Sequence, residues 1–501
     1  DQMKVTKMQR RTFLGGMAVA GLAGPWLQAW SAEAMASPSL PLGLPLLASE
    51  LLPAGGTLRE LTKLANTSNQ PGTFQGKLTA APVTLPFIPG HASTEFWAYN
   101  GSLPGPLIEL FEGDTVEITF VNQLKQPSTI HWHGLPVPPE QDGNPLDPVP
   151  PGGSRIYRFN LPEGSAGTYW YHPHPHQHTA EQAFRGLAGP LVVRSRKDPL
   201  TALPERLLVI SDLKLDRYAA IAPNDENDWM NGREGQFALV NAQRQPVLPF
   251  DFGGRERWRI WNACSARYLK LTLPGSTLTL VGTDGGLLEA AQAGLTEYLL
   301  APAQRVELIV DAGSRRDKVE LTASVYPRGK MGNVAPDQIM PLLTVDFTAV
   351  TTKVQAALPA HLGSVDDLGQ TSTHKQVVFS ESMSMVNGRH SMQFLINDQE
   401  YDMQRIDLVS RLNEVELWEI VNRTDMDHPL HVHGTQFQVV EREFEGVVTP
   451  APFRAWQDTV NLRANEIVRI KTVQRWPGLR MFHCHILEHE AMGMMGQLKV
   501  V

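Results

Sequence analysis

The sequence predicts an all-β protein built of three β-sandwich domains, and three observations predict it. From about Leu78 onward, short runs rich in Val, Ile, Phe, Tyr and Trp alternate with polar residues, the period of a half-buried strand. The 41 glycines and 38 prolines cut these runs every ten residues or so, as turns between sandwich strands require. A strand phrase then recurs three times, as GDTVEITFVN ending at Asn122, GRERWRIWN ending at Asn262 and NEVELWEIVN ending at Asn422. Each copy joins a turn residue, period-2 alternation and an Asn at the strand exit, so one structural unit is used three times. A chain of 501 residues also exceeds the roughly 250 to 300 at which a single core stops growing.

In chain order, residues 1–36 carry paired Arg10 and Arg11, then Phe13, Leu14 and a weakly hydrophobic Gly/Ala-rich stretch ending in small-residue sites at Ala34 and Ala36. Four glycines and a proline between Gly15 and Pro25 argue against a membrane span, and the segment resembles a twin-arginine export signal. The expected address of the product is the periplasm or another extracytoplasmic space, reached through the twin-arginine export machinery, with no membrane span in the mature form. Residues 37–75 form an N-terminal extension, 76–198 the first sandwich, 199–351 the second, 352–374 a polar linker and 375–501 the third. The 42% apolar and 19% charged composition is that of a globular protein. A net charge of −8 without a basic run gives no support to nucleic-acid binding. Two cysteines, Cys264 and Cys484, exclude a disulfide framework and a zinc ribbon.

Sixteen histidines are the outstanding feature, and most cluster. His131 and His133 lie in HWHG; His172 and His174 open YHPHPHQH; His428, His431 and His433 lie in HPLHVHG; His483, Cys484, His485, His489 and Met494 lie in HCHILEHEAMGMM. On a strand, residues i and i+2 share a face, so each His-x-His presents two imidazoles to one place. Imidazole suits copper, zinc and iron, whereas one Cys, two His and a weak axial Met are the donors of a blue-copper electron-transfer site. His428, Cys484, His489 and Met494 supply that set. Cys484 lies between His483 and His485, which must face the other side of the strand, so a metal at the thiolate is linked through two peptide units to metals held by its neighbours. The middle segment has no histidine and reads as a spacer.

At these four motifs the sequence resembles the multicopper oxidases, specifically the three-domain bacterial laccases and copper-efflux oxidases, over essentially the whole mature chain. The resemblance implies three cupredoxin-like Greek-key sandwiches and four copper ions. By it, His428, Cys484, His489 and Met494 hold a type 1 copper that takes electrons from substrate. His131 and His431 hold a type 2 copper, and His133, His172, His174, His433, His483 and His485 a binuclear type 3 pair. Together the three reduce dioxygen to water. Asp142 and Glu490 match the family's proton-delivering carboxylates, and with Cys484 they are the expected catalytic residues.

The reductant is less legible. A phenol, an amine, Cu(I) or Fe(II) should dock near His428 and His489, with Asp425 and Asp427 as candidate orienting groups. The chain lacks a long methionine-rich insertion, and Met383, Met385, Met392 and Met403 read as strand-core residues rather than Cu(I) ligands. The expected activity is laccase-like oxidation, with cuprous or ferrous oxidation for copper tolerance as the alternative. A non-enzymatic protein of the same fold is disfavoured by the complete donor set. Cys264 reads as a buried, inert thiol.

Overall fold

The computed structural model describes residues 45–349, 357–387 and 389–501; the segment expected to be an export signal, the start of the extension, residues 350–356 where the second sandwich meets the linker, and Gly388 lie outside this range. Among the described residues strands far outnumber helices and form six sheets, two to each sandwich. Among the described residues no helix is long and apolar enough to cross a membrane.

The repeated phrase forms the same strand three times. Thr115–Asn122, Arg255–Asn262 and Val415–Asn422 each sit inside a sheet, with a parallel neighbour on one side and an antiparallel one on the other. The parallel neighbours are Thr73–Leu85, Glu205–Leu213 and Thr373–Val386. The antiparallel ones are Ser154–Asn160, Arg305–Asp311 and Ile467–Val473. In the first and third copies burial alternates strictly along the strand, so the period-2 pattern marks which side chains enter the core. Trp258 and Trp418 are fully buried at equivalent positions, and each indole N–H donates to the carboxylate two residues earlier, Glu256 at 2.9 Å and Glu416 at 2.8 Å. Each sandwich closes on its own apolar core.

The asparagine ending each phrase has one job in all three domains. Its side-chain oxygen accepts the N–H two residues on, from Leu124, Cys264 and Thr424, at 3.0 to 3.1 Å. Its amide nitrogen donates to a carbonyl of the following loop, that of Gln126, Arg267 or Met426, and to one far along the chain, that of Val149, Leu300 or Arg463. A loop pinned this way returns to the opposite sheet, and in the first and third domains that return delivers the histidine strands His131–His133 and His428–Val432.

The described part of the extension does not form a sandwich strand. It runs along the middle domain through bridges Leu46–Asp216, Ala54–Arg244 and Thr57–Val247, then joins the first through Lys63–Leu107. The first sandwich opens at Thr73 and the third at Thr373, slightly earlier than the sequence divisions at 76 and 375.

Asn262→Ala strands several buried polar groups far from the histidines, a cost of roughly 2 kcal/mol or more. The expected result is a melting transition several degrees lower by calorimetry with unchanged metal content; an unaltered transition would refute the pinning role.

Candidate metal centre

Register places the histidine pairs. In the first domain His131 lies opposite His172 and His133 opposite Trp170 on antiparallel strands; in the third, His431 lies opposite His483 and Leu430 opposite Cys484. Directly opposed residues share a face. His431 and His483 therefore look one way, while Cys484 looks into the third core beside Met494. The two histidine faces meet in a fully buried cluster, with His131 stacked on His433 and His133 on His431, each at 3.8 Å between ring centres.

Hydrogen bonds on the outside of this cluster decide where the ring protons sit. The Nδ1–H groups of His131, His172, His431 and His483 donate to the carbonyls of Asp142, Pro173, Asp458 and Cys484 at 2.7 to 2.9 Å. His433 Nδ1–H donates to the Asp142 carboxylate at 3.1 Å, and His133 Nε2–H to the Asp458 carboxylate at 2.9 Å. Each opposite ring nitrogen is thereby left with its lone pair. These lone pairs point at one another: Nε2 of His131 and His431 are 3.3 Å apart, and those of His433 and His483 are 3.0 Å apart. His174 Nε2, in a ring that no outer bond fixes, lies 3.1 Å from His483 Nε2. His133 Nδ1, His172 Nε2, His174 Nδ1 and both nitrogens of His485 have no hydrogen-bond partner within the protein. Burial, with repulsion between neighbouring imidazoles, holds His133, His172, His174, His431, His433 and His485 well below the usual imidazole range, and His483 at about 3, so these seven rings are neutral. Buried lone pairs facing each other at hydrogen-bond distance, with no proton to share, are a cation site.

The second site follows the same rule. His489 Nε2–H donates to the Met230 carbonyl at 2.9 Å. His428 Nε2–H donates to Thr424 Oγ at 3.0 Å, because that hydroxyl gives its own proton to Asn422 or to the Met426 carbonyl. The two Nδ1 lone pairs then face each other at 3.3 Å, with Cys484 Sγ 3.5 and 3.9 Å away. Burial pushes the Cys484 thiol up, so the thiolate needs a bound cation; the Ile486 N–H at 3.4 Å is its only polar contact besides the imidazoles among the described residues. Met494 is fully buried in the same core, and its carbonyl accepts the Cys484 N–H at 3.0 Å. Phe394 stacks on His489 at 3.8 Å and Phe379 meets His428 edge-on.

Both predicted acids lie at the histidine cluster. Asp142, fully buried, touches His131 and His433 and sits 3.3 Å from Arg480. Glu490 lies 3.9 Å from His174 and 3.8 Å from His483; in the metal-free protein burial raises its carboxyl to about 8, so it carries a proton at neutral pH. A third acid, Asp458, escaped the sequence reading. It lies 27 residues beyond His431 with no motif around it, and only folding brings it to His133 and His431. Burial pushes its carboxylate up, but the charge and hydrogen bonds of Arg305 outweigh this and hold it low. Met230, 259 residues from His489, escaped for the same reason, whereas Thr424, only four residues before His428, offered no signal in the chain beyond a turn residue.

The candidate substrate residues separate. Asp425 is exposed, whereas Asp427 is buried, with hydrogen bonds from Tyr326 at 2.6 Å, Asn461 at 2.8 Å and the Ala464 N–H at 3.3 Å. Its carboxylate ties the second domain to the third and has no free oxygen for a substrate. The methionine reading also changes. Met383 and Met385 are 60 and 62% exposed because the hairpin Thr373–Val386 with Arg389–Ile396 extends past the sheet, and Met403, in the turn region that follows, is exposed as well; of the four only Met392 packs on the core. Cys264 is buried, burial pushes its thiol up, and its Sγ lies 3.8 Å from the Ile210 carbonyl of the middle domain.

With copper supplied, Cys484→Ser should abolish the intense visible absorption that a thiolate donor gives, and Cys264→Ser should leave it intact. Visible spectra of the two purified variants decide this; a blue Cys484→Ser protein would displace the assignment.

Comparison with known proteins agrees with this geometry. Residues 84–198, 204–336 and 372–501 each match a multicopper oxidase family domain. A solved structure described as a multicopper oxidase from Campylobacter jejuni, a metallo-oxidase, is 43% identical and superposes with a TM-score of 0.87 over 93% of this chain and 99% of that one. A laccase from Pediococcus acidilactici is 29% identical, with a TM-score of 0.77 over 92% of this chain and 96% of its own. The multicopper oxidase mco of Staphylococcus aureus is 33% identical over 416 residues, 80% of this chain and 83% of that protein. Three matched domains and a paired-imidazole cluster beside a His₂Cys site place the chain in the multicopper oxidases, copper-binding oxidoreductases that pass electrons from a reducing substrate to dioxygen.

Proposed function

We propose that this enzyme is chiefly a metallo-oxidase whose preferred reductant is Cu(I), with phenol and amine oxidation as a slower, laccase-like capacity. The observation that carries the reading is the closure of the Cys484 site. His428 and His489 are fully buried, and their outer nitrogens are bonded to Thr424 and to Met230. Met230 belongs to the short helix Glu226–Asn231, held by a capping box between Asp225 and Asp228, by Lys214 on Asp228 at 2.6 Å, and by reciprocal bonds between Asn231 and Met331. A phenol ring cannot reach an imidazole edge through this cover.

The exposed hairpin offers another route. Phe394, stacked on His489, is two residues, about 7 Å along the strand, from Met392, which pairs directly across the hairpin with Met383. Thioethers are soft donors suited to Cu(I), and Met383 and Met385 stand in solvent at the outer end, on the strand that carries Glu381. The metallo-oxidase description of the 43% identical relative supports the same reading.

Four coppers would be held, one by His428, Cys484, His489 and Met494, one by His131 and His431, and two by His133, His172, His174, His433, His483 and His485. When bound, they supply one-electron acceptance at the first site and four-electron reduction of dioxygen to water at the other three. The protein's own residues do the rest. The peptide units on either side of Cys484 join the sites covalently, the carbonyl of Cys484 fixes His483, and Glu490 stands beside His174 and His483, placed to relay protons. Asp142 serves the opposite edge at His131 and His433. The paired Arg10 and Arg11 and the small-residue sites support export by the twin-arginine route to the periplasm, where oxidation of Cu(I) would serve copper tolerance.

Replacing Met383 and Met385 together by Leu should lower kcat/KM for Cu(I) about 10-fold and leave phenol oxidation unchanged; equal losses for both substrates, or no loss for Cu(I), would return the enzyme to the laccase reading. Asp142→Asn should keep the visible colour but slow oxygen consumption by roughly 100-fold or more. Unchanged turnover with intact copper would remove Asp142 from proton delivery.

A further inference from the structure

A buried ion pair joins all three domains behind the histidine cluster. Arg305, from the middle-domain strand Arg305–Asp311, is fully buried, and its Nε–H donates to the Thr168 carbonyl of the first domain at 2.7 Å. Its terminal nitrogens fork onto Asp458 of the third domain, Nη1 to Oδ1 at 2.9 Å and Nη2 to Oδ2 at 2.5 Å. Asp284, also from the middle domain, accepts the N–H groups of Arg305, Asp458 and Thr459 at 2.8, 3.1 and 3.3 Å. Asp458, thus held, takes His133 Nε2–H on its carboxylate and His431 Nδ1–H on its carbonyl.

A second observation, from the HWHG motif, points to the same pair. Gly134 has φ +87°, and a Cβ there would stand 2.4 Å from Asp458 Oδ2 and 2.7 Å from Arg305 Nη2. The motif ends in glycine because the guanidinium–carboxylate pair occupies the space a side chain would take. The arrangement at Asp142 is its counterpart. There Gly434, at φ +71°, makes room for Arg480, Arg480 sits 3.3 Å from Asp142, and Asp142 serves His131 by its carbonyl and His433 by its carboxylate. Each aspartate orients one imidazole of its own domain and one from the other end of the chain. The two differ in their backing: Arg480 is a third-domain residue, whereas Arg305 is supplied by the domain that carries no histidine.

We propose that Arg305 and Asp284 are positioning residues for the trinuclear copper site, so that the middle domain sets how tightly that site holds its metal by locking Asp458 against His133 and His431. The inference rests on the reading that this cluster binds three coppers. Loss of an outer-shell hydrogen-bond partner characteristically costs about 10- to 100-fold in metal affinity.

The test uses the copper-loaded full-length enzyme as wild type, Arg305→Met, Arg305→Lys, Asp458→Asn and the Arg305→Met/Asp458→Asn double variant. Copper per chain is followed during dialysis against increasing chelator, alongside the visible band of the Cys484 site and the steady-state constants. Expected for Arg305→Met are an unchanged visible band and unchanged KM for the reductant, release of cluster copper at about 10- to 100-fold lower chelator, and a reduced kcat. Arg305→Lys should fall between Met and wild type, and the double variant should be no worse than the more damaged single one. Wild-type copper retention in Arg305→Met overturns the proposal, as do losses that multiply in the double variant. Should the Met variant fail to fold, wild-type retention in Arg305→Lys overturns it equally. A wild-type enzyme holding only one copper per chain would sink the three-copper reading instead, a result distinct from wild-type retention in the variants.

Discussion

Everything in this molecule follows from keeping imidazole protons on the outside. A buried neutral imidazole has one donor and one acceptor, and left alone it would satisfy itself with a neighbouring ring or carbonyl in either orientation. Here oxygen atoms surround the cluster and claim one N–H from most of the rings, so the remaining lone pairs converge with no proton between them. The oxygens come mainly from the backbone, at Asp142, Pro173, Asp458, Cys484 and Met230. Carbonyls in a sandwich are held by the sheets and need no side chain of particular identity. The cost of assembling so many desolvated donors is met by three large cores, whose strands cannot shift without exposing them.

The sequence made the donors legible and hid their supports. His-x-His spacing and the Cys484 motif work because a strand converts alternate residues into a shared face, a rule local enough to read from a few letters. The three Asn-terminated phrases were legible for the same reason, and each proved to be the same strand, loop and buried amide. Asp458 and Arg305 obey no such rule. Arg305 opens a strand of the histidine-free domain, and nothing near it in the chain distinguishes it from a solvated strand-end charge; its partner is 153 residues away. Asp427 misled in the opposite direction. An acid next to a metal-ligand histidine looks available, but its partners Tyr326 and Asn461 are 101 and 34 residues distant. Met383 and Met385 alternate as core residues would, and alternation alone cannot tell that their hairpin outruns the sheet beneath it.

The middle domain therefore does more than separate the other two. From one edge it sends Arg305 and Asp284 against the histidine cluster; from another it lays Met230 over His489. Its histidine-free sequence reflects a division of labour in which the outer domains donate to metal and the middle one fixes and covers the donors.

The pairing of His131 with His431 spans 300 residues of chain. During synthesis the first sandwich can close on its own core long before the third exists, yet at that stage it holds only half a site: four imidazoles and no counterpart face. The remaining ligands, His428 to Met494, all belong to the third sandwich. Metal capture is consequently a report on that sandwich. A first sandwich without residues 428–494 keeps its own core and lacks the facing imidazoles with which its histidines form a site.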